Sequence, residues 1–434
     1  MAIFHVVFKN TFFQVFSKLF TLGLSLFVIT PLLTRHLEEG GYGAYTLVTA
    51  FILFFGTLSD WGTNIIAVRE AVGDKDKGRV VFGTSGILRL FLSLIGFIVL
   101  NIVVRMNPSW DYLVGVLTIA SFVLLFLSIK TTVGIVFQTL LRYELFAIVE
   151  MVSTVVFLVF VFLSVSFFGG LSPIIVAWLV ATVAASLIGV ILALRISRID
   201  FSFDKKIARR ILAEAFPTGA LLMLFSVYNR IDTIILQVFQ GDFSVGIYGL
   251  SYKVYDNSVM GAAFLMNAVF PIMATRFRSS PRANLQKFYQ KIFDVLFMLG
   301  VFVFGVIFIT APFVVEMLGR GGFKDSVGVL QILSVAVMFA YLNHLTGYSL
   351  IALGKQRVSL VIALVALLFN VLLNLIFIPS YSYNAAAIIT IATEGLILVL
   401  STIAVWKTIG VVPRLLSFPT TAVFILRSKN NFLK

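Results

Sequence analysis

The sequence predicts an all-α membrane protein that crosses the bilayer about twelve times, in two six-helix halves that repeat one another. Three observations predict it. Of the 434 residues, 60% are hydrophobic and only 12% carry charge, too little polar surface for a water-soluble chain of this length to cover its core. Apolar runs of about 20 residues, the length that spans hydrocarbon, follow one another almost end to end. Residue patterns of the first half also recur, in order, in the second.

Taken in order, the apolar runs between charged breaks place helices at 11–33, 42–67, 82–104, 112–140, 145–168 and 171–195. The second six fall at 212–238, 244–274, 291–313, 326–353, 358–378 and 384–406. The first run follows the N-terminus without a small-residue cleavage pattern and is expected to remain as helix 1. Gly169, Gly170, Ser172 and Pro173 mark the turn between helices 5 and 6. In the tail 411–434, the apolar stretch from Phe418 to Leu426 is too short to span and is interrupted by Pro419. It reads as a cytoplasmic or interfacial segment, with a thirteenth span as the alternative.

No polar stretch is long enough to fold as a soluble domain, which removes most enzymes, and no catalytic residue is assigned. The absence of cysteine excludes disulfides, thiolate metal sites and cysteine nucleophiles. His5, His36 and His344 are too scattered for a metal cluster. No metal site and no cofactor is expected, apart from H+ or Na+ as a coupling ion.

The net charge of +14 resolves by loop. One set of loops holds Arg69, Lys75, Lys77 and Arg79, then Arg142, then Arg195, Arg198, Lys205, Lys206, Arg209 and Arg210. It continues with Arg276, Arg278, Arg282, Lys287 and Lys291, then Lys355 and Arg357. The opposite loops hold only Arg35, Arg105, Arg320 and Lys324. The positive-inside rule makes the rich set cytoplasmic and places both termini inside. These loops read as topology determinants that touch anionic headgroups, and no nucleic-acid partner is expected.

The repeat is legible residue by residue. Gly43, Tyr45 and Leu47 recur 203 positions later as Gly246, Tyr248 and Leu250, and Asn64 falls on Asn267. At an offset of 213, Gly115, Val116, Leu117, Ile119 and Ser121 match Gly328, Val329, Leu330, Ile332 and Ser334. Phe126, Gly134, Leu140 and Arg142 then meet Phe339, Gly347, Leu353 and Lys355. The change of offset falls in the basic loop after helix 8, a place that tolerates insertion. An even number of helices per half makes the repeats parallel, with substrate between lobes that rock alternately. The expected lobes are residues 1–200 and 201–410, with the tail at 411–434.

Ionisable residues inside spans are costly and mark pathways or paired structural sites. The candidates are Lys18, Asp60, Arg89 and Lys130 in the first half, and Arg230, Asp232, Lys253, Asp256, His344 and Glu394 in the second. Lys18 and Arg89 lie about 10 Å from the cytoplasmic end, within snorkelling reach, so interface anchoring and cavity lining are both open for them. Lys130 lies about 18 Å in, too deep to snorkel, and aligns with Asn343 beside His344. A cationic cavity of Lys130, Arg230, Lys253, Arg89, Lys18, His344 and Asn343 would suit a phosphate, because arginine makes bidentate bonds and lysine adds a point charge. Asp232, Asp256, Asp60 and Glu394 are then coupling or charge-pairing groups. Lys253 and Asp256 share a helix face, and self-neutralising pairs that fix helix 7 against helix 8 are the structural alternative. Asn370 and Asn374 form a polar stripe that fits sugar hydroxyls or interhelical hydrogen bonds. Tyr252 and Tyr255 stack on sugar or simply pack.

These residues resemble the polysaccharide and oligosaccharide exporters of the superfamily that also holds multidrug extruders and lipid II flippases. Asn10-Thr11, Arg35, Leu37, Tyr42-Gly43, Tyr45, Asp60-Trp61-Gly62 and Arg69-Glu70 are similar to that family's opening pattern. Arg230-Ile231-Asp232 and Val245-Gly246-Ile247-Tyr248 resemble its second-lobe signature, followed by Asn370, Asn374, Pro379, Ala385-Ala386-Ala387 and Glu394. Asn384 stands where the family usually has glycine. The resemblance implies two six-helix bundles, a lipid-linked oligosaccharide flipped across the cytoplasmic membrane, cation coupling, and glycan polymerase or assembly machinery as partners. The charges agree with it: a sugar pyrophosphate wants a basic cavity while its lipid tail stays in the bilayer.

A multidrug or cation antiporter shares the fold but would want carboxylates facing a cationic drug, where the deepest first-half charge is Lys130. A lipid II flippase would carry about two more helices. A major-facilitator transporter is also six plus six, and Gly73 to Arg79 shadows its loop motif with the spacing off at two steps. A membrane-embedded glycan polymerase would show a large external loop, and a non-transporting scaffold would leave the buried charges without a reason.

Overall fold

In hydrocarbon each backbone polar group must be satisfied within its own segment, and all regular structure among the described residues is helical. The structure, a computed structural model, describes residues 2–279 and 282–414. The apolar stretch from Phe418 to Leu426 lies outside the described residues.

The order is α1 (Ala2–Leu24), a π-turn (Ser25–Ile29), α2 (Thr30–Asp60), α3 (Thr63–Ala71), α4 (Lys75–Met106), a 3-10 turn (Pro108–Leu113), α5 (Val114–Thr139), α6 (Tyr143–Phe167) and α7 (Ser172–Ile196). Then follow α8 (Lys205–Tyr228), α9 (Ile231–Ser279), α10 (Arg282–Gly319), a 3-10 turn (Arg320–Phe323), α11 (Ser326–Ala352) and α12 (Gln356–Ile409). The π-turn stands just before Pro31, whose missing N–H would interrupt the ordinary ladder; the Thr30 N–H instead reaches back to the Ser25 carbonyl.

Among the described residues, nine helical runs are long and apolar enough to cross a membrane. Three of them are double. The chain breaks at Glu38 (φ 55°), Gly241 (φ 74°) and Ser382 (φ 51°), which yields the twelve expected spans. The expected turn between helices 5 and 6 is Phe168–Leu171, with Gly170 at φ 83°. At the 11–12 turn the positive φ falls on Ser382, two residues before Asn384.

These breaks follow the repeat. Glu38 and Gly241 are 203 apart, Leu141 (φ 54°) and Gly354 (φ 68°) are 213 apart, and Gly170 and Ser382 are 212 apart. The halves therefore share their turns as well as their residues.

By packing, the chain forms two compact units. One runs through Gly246 and includes Met317–Gly322; the other comprises Ile247–Glu316 and the chain from Phe323 onward. In the first unit two apolar clusters lie one beyond the other along the bundle. One gathers Phe51, Phe55, Leu100, Trp110, Leu117 and Leu124, the other Ile66, Phe82, Leu88, Val136, Val149 and Ile211. On α2–α3, α4 and α5 the same polar stretch, residues 59–64, 89–93 and 128–131, falls between them. In the second unit α11 and α12 pack along their length, and Ser251 and Ser326 exchange hydroxyl-to-carbonyl bonds across α9 and α11, Ser251 Oγ donating to Ser326 O at 2.8 Å and Ser326 Oγ to Ile247 O at 2.9 Å.

Within the first unit, the helix starts after the two equivalent breaks cross backbone to backbone. A Cβ on Gly43 would lie 1.8 Å from the Asp242 carbonyl oxygen, and one on Gly246 would lie 2.0 Å from that of Glu39. Glu39 and Asp242 are themselves 203 apart, so each half offers the same glycine to the same carbonyl of the other. Nearby, Trp110 Nε1 donates to Gln237 Oε1 at 2.6 Å and the Tyr112 hydroxyl to Asp242.

Gly43→Leu and Gly246→Leu are each expected to lower the midpoint of thermal unfolding in detergent, by at least the cost of overpacking, about 1–3 kcal/mol. Gly305→Ala, where an added Cβ meets nothing within 4 Å, should leave that midpoint unchanged or raise it. Equal melts for all three would remove the close crossing from the fold.

Candidate functional site

The polar layer of the first unit encloses a cavity of about 320 Å³, lined by Asp60, Asn64, Arg89, Ser128, Thr131 and Leu222 among others. Its geometry begins at a helix break. Trp61 and Gly62 both adopt positive φ, 42° and 70°, which ends α2 at Asp60 and leaves that carboxylate at the mouth between α2 and α3. Gly219 of α8 comes close to the same break; a Cβ there would meet the Trp61 carbonyl oxygen at 2.5 Å.

Arg89 lies 14 residues into α4, which begins at Lys75, or about 21 Å along the helix. Its side chain is only 2% exposed. Nη2 stands 2.8 Å from Asp60 Oδ1 as an ion pair and donates to Thr131 Oγ1 at 2.7 Å. Asp60 Oδ1 is close but off the direction of a hydrogen bond. Nε and Nη1 of Arg89 and Oδ1 of Asn64 have no hydrogen-bond partner among the described residues. A cation buried in apolar surroundings with two unmet N–H groups attracts an acceptor-rich anion, since leaving such donors bare costs the full desolvation of each.

Of the two readings open for Arg89, its burial and its place in the lining favour the cavity. The helix starts seven residues earlier than the hydropathy boundary, so Arg89 sits near mid-helix, beyond snorkelling range. Lys18, by contrast, is exposed on α1. Lys130 does not line this cavity. It turns towards α6, where Nζ lies 3.0 Å from Glu150 Oε1 and 3.2 Å from Oε2. Glu150 is absent from the sequence candidates, although eight residues past Arg142 puts it about 12 Å from the inner surface, deep enough to need a partner.

In the second unit, Asn343 Nδ2 donates to Glu394 Oε2 at 2.6 Å and to its carbonyl at 2.9 Å, and the Tyr255 hydroxyl donates to Oε1 at 3.3 Å. The equivalent positions 130 and 343 thus each hold a carboxylate of a neighbouring span. His344 lies beside Tyr348, ring centroids 6.2 Å apart. The Lys253–Asp256 pair does not form: Asp256 is exposed, and Lys253, half-buried, makes no ion pair among the described residues. In the first unit Arg230 is half-buried and Asp232 is buried, its Oδ1 accepting from the Thr233 N–H at 2.7 Å. Asn370 and Asn374 are buried and bonded to Thr393 and to each other, which is the interhelical reading. Tyr252 and Tyr255 are 6% and 5% exposed and pack in a ladder with Tyr248.

The profile of the family described as polysaccharide biosynthesis protein matches residues 7–277, more than half of the chain. The chain belongs to that family. The MatE family profile also matches, over residues 217–376. The fold of this family member is similar to that of the lipid II flippase MurJ in an inward closed conformation, with TM-score 0.75, 14% identity, and 98% of this chain and 94% of that one covered. It is similar to an inward-facing multidrug resistance MATE family transporter of the MOP superfamily, with TM-score 0.73, 17% identity, and 91% and 94% covered. The MATE multidrug transporter DinF-BH aligns with TM-score 0.64 and 18% identity, over 92% and 96%. No curated protein matches the sequence. The polysaccharide biosynthesis chain is a multi-pass membrane protein with the repeat fold of those transporters, and the major-facilitator alternative is set aside.

Arg89→Ala in this family member leaves the half-exposed Asp60 without its cation and is expected to lower the midpoint of thermal unfolding in detergent. The double variant Arg89→Ala/Asp60→Ala is expected to recover part of that loss in detergent unfolding. A double variant no more stable than Arg89→Ala would show that the pair does not hold the layer together.

Proposed function

We propose that the chain flips a lipid-linked oligosaccharide, a polysaccharide repeat unit, across the cytoplasmic membrane by alternating access, with cation coupling. One observation carries this reading: Arg89, 2% exposed, lines a cavity of about 320 Å³, and two of its N–H groups have no hydrogen-bond partner among the described residues. A cavity of that size accommodates a phosphate or pyrophosphate group. The membership in the polysaccharide biosynthesis family supports the same substrate class. A multidrug antiporter would need an accessible carboxylate without a competing cation, and here Asp60 is held by Arg89 at 2.8 Å.

The pair supplies a coupling scheme. Phosphate and the Asp60 carboxylate compete for one guanidinium. Proton uptake by Asp60 removes the competitor and leaves Arg89 to the anion; loss of the proton restores the ion pair and expels it. By linkage, phosphate binding must then favour proton uptake by the same factor. Lys130 acts from the neighbouring α5–α6 face, where Glu150 is its partner.

The test is flipping of a polyprenyl-pyrophosphate oligosaccharide in proteoliposomes, with export of glycan in cells alongside. Arg89→Ala and Lys130→Ala are expected to abolish both while the protein remains inserted and expressed. Asp60→Asn should keep substrate binding and lose the dependence of flipping on a proton gradient. Full flipping by Arg89→Ala would overturn the cavity assignment, and transport of a cationic dye in place of the glycolipid would move the chain to the antiporters.

A further inference from the structure

The cytoplasmic end of the first unit carries a second cavity, for which the transport cycle has no use. It measures about 700 Å³ and opens where the α3–α4 loop and the start of α4 meet the ends of α5 and α7. Arg79, Arg195 and Arg198 line it, with Asp74 as the lining carboxylate. Asp74 is already engaged as the N-cap of α4, its Oδ1 accepting from the N–H groups of Asp76 and Lys77. Arg79 Nη1 lies 3.0 Å from Asp76 Oδ1. The Arg195 and Arg198 guanidinium groups form no ion pair or hydrogen bond among the described residues. In the cavity wall Thr139 Oγ1 is buried and has no hydrogen-bond partner among the described residues.

The floor is built. After α7 the chain from Ser197 to Asp204 is strapped along α4. The Asp200 N–H donates to the Arg79 carbonyl at 3.2 Å, Thr84 Oγ1 to the Ser202 carbonyl at 3.3 Å, and the Asp204 N–H to Thr84 Oγ1 at 3.2 Å. Gly83 permits this approach, because a Cβ there would fall 1.7 Å from the Asp200 carbonyl oxygen. Arg198 is therefore carried on a fixed segment.

Position and rim define the ligand. Arg79 precedes Arg89 by ten residues, about 15 Å of helix, which is half of a hydrocarbon core about 30 Å thick. The cavity thus lies at headgroup level. Leu187, Ile191 and Leu194, exposed by 58%, 52% and 48%, form one stripe of α7 that runs up to the cavity mouth, where Leu194 and Leu140 are part of the lining. Arginines at the end of a bare apolar stripe suit a molecule with a phosphate head and an acyl chain. The positive-inside rule explains why basic residues lie on this side, and Arg195 in the last turn of α7 also complements that helix's dipole. Neither explains a half-open cavity whose wall holds a hydroxyl unmet among the described residues.

We propose that this cavity holds the phosphate headgroup of an anionic phospholipid of the cytoplasmic leaflet, with Arg195 and Arg198 as its ligands and an acyl chain along Leu187, Ile191 and Leu194. The test is native mass spectrometry of the full chain, delipidated in detergent and titrated with phosphatidylglycerol, with phosphatidylcholine as the uncharged comparison. Arg195→Ala/Arg198→Ala is expected to weaken phosphatidylglycerol binding by about tenfold or more, the scale of one lost charge-assisted bond. Lys206→Ala/Arg209→Ala removes the same charge from exposed positions outside the cavity and should retain wild-type binding. Equal weakening by both pairs, equal binding of phosphatidylcholine, or displacement of the lipid by millimolar inorganic phosphate would each overturn the assignment, the last by making it a site for a soluble anion. Matched melting curves for the two double variants separate lost binding from lost folding.

Discussion

A guanidinium at the middle of an apolar bundle has to be answered by something, and the first unit is arranged around the answer to Arg89. The ion pair with Asp60 requires α2 to stop at residue 60, which the left-handed pair Trp61–Gly62 achieves. Gly219 lets α8 approach that same break. The polar layer is kept thin by apolar clusters on either side of it, so the charge pair is held in low dielectric, where an electrostatic contact is strong and a missing one expensive. Thr131 satisfies one further donor. What remains is a guanidinium in a cavity wall with two N–H groups unmet among the described residues.

The repeat explains where this arrangement comes from and why only one half has it. Duplication preserved what geometry requires: the breaks at Glu38 and Gly241, the turns at Leu141 and Gly354, and the reciprocal glycine-to-carbonyl crossing of residues 43 and 246. It did not preserve the charges. At the same offsets Asp60 falls on Ala263 and Arg89 on Phe302. The second unit is polar at a different place, where Asn343 and Tyr255 hold Glu394. A substrate with one charged end needs such inequality, since two identical cationic walls would hold an anion without a preferred direction.

The spans, their number and the duplication are legible in the sequence, because hydropathy averages over about 20 residues and tolerates errors at the ends. The same averaging hides the site. It begins helix 3 at residue 82 where α4 begins at Lys75, and seven residues of error move Arg89 from mid-helix to the interface. Partners are the other blind spot. Asp60 and Arg89 are on different helices, as are Lys130 and Glu150, and periodicity relates residues only along one helix. Glu150 carries a signal in its depth; the contacts of Asn64 and Thr131 with the cavity carry none, since both residues are common on helix faces. For Asn370 and Asn374 the pattern fits two roles, and burial decides for interhelical bonds.

The two cavities of the first unit differ in a way that follows from their distance to water. Arg89 is buried and already paired with Asp60, so an anion at that guanidinium meets a carboxylate that competes with it. Arg195 and Arg198 have no carboxylate bound among the described residues, so an anion proposed there would displace no partner. The first arrangement suits a ligand that must leave again, the second one that stays. The proposed cycle needs both: a site whose affinity changes within it, and a bundle whose ends hold their level in the membrane while it does. Phosphate chemistry serves each, and the difference between cargo and constituent lies in whether a carboxylate is waiting to take the arginine back.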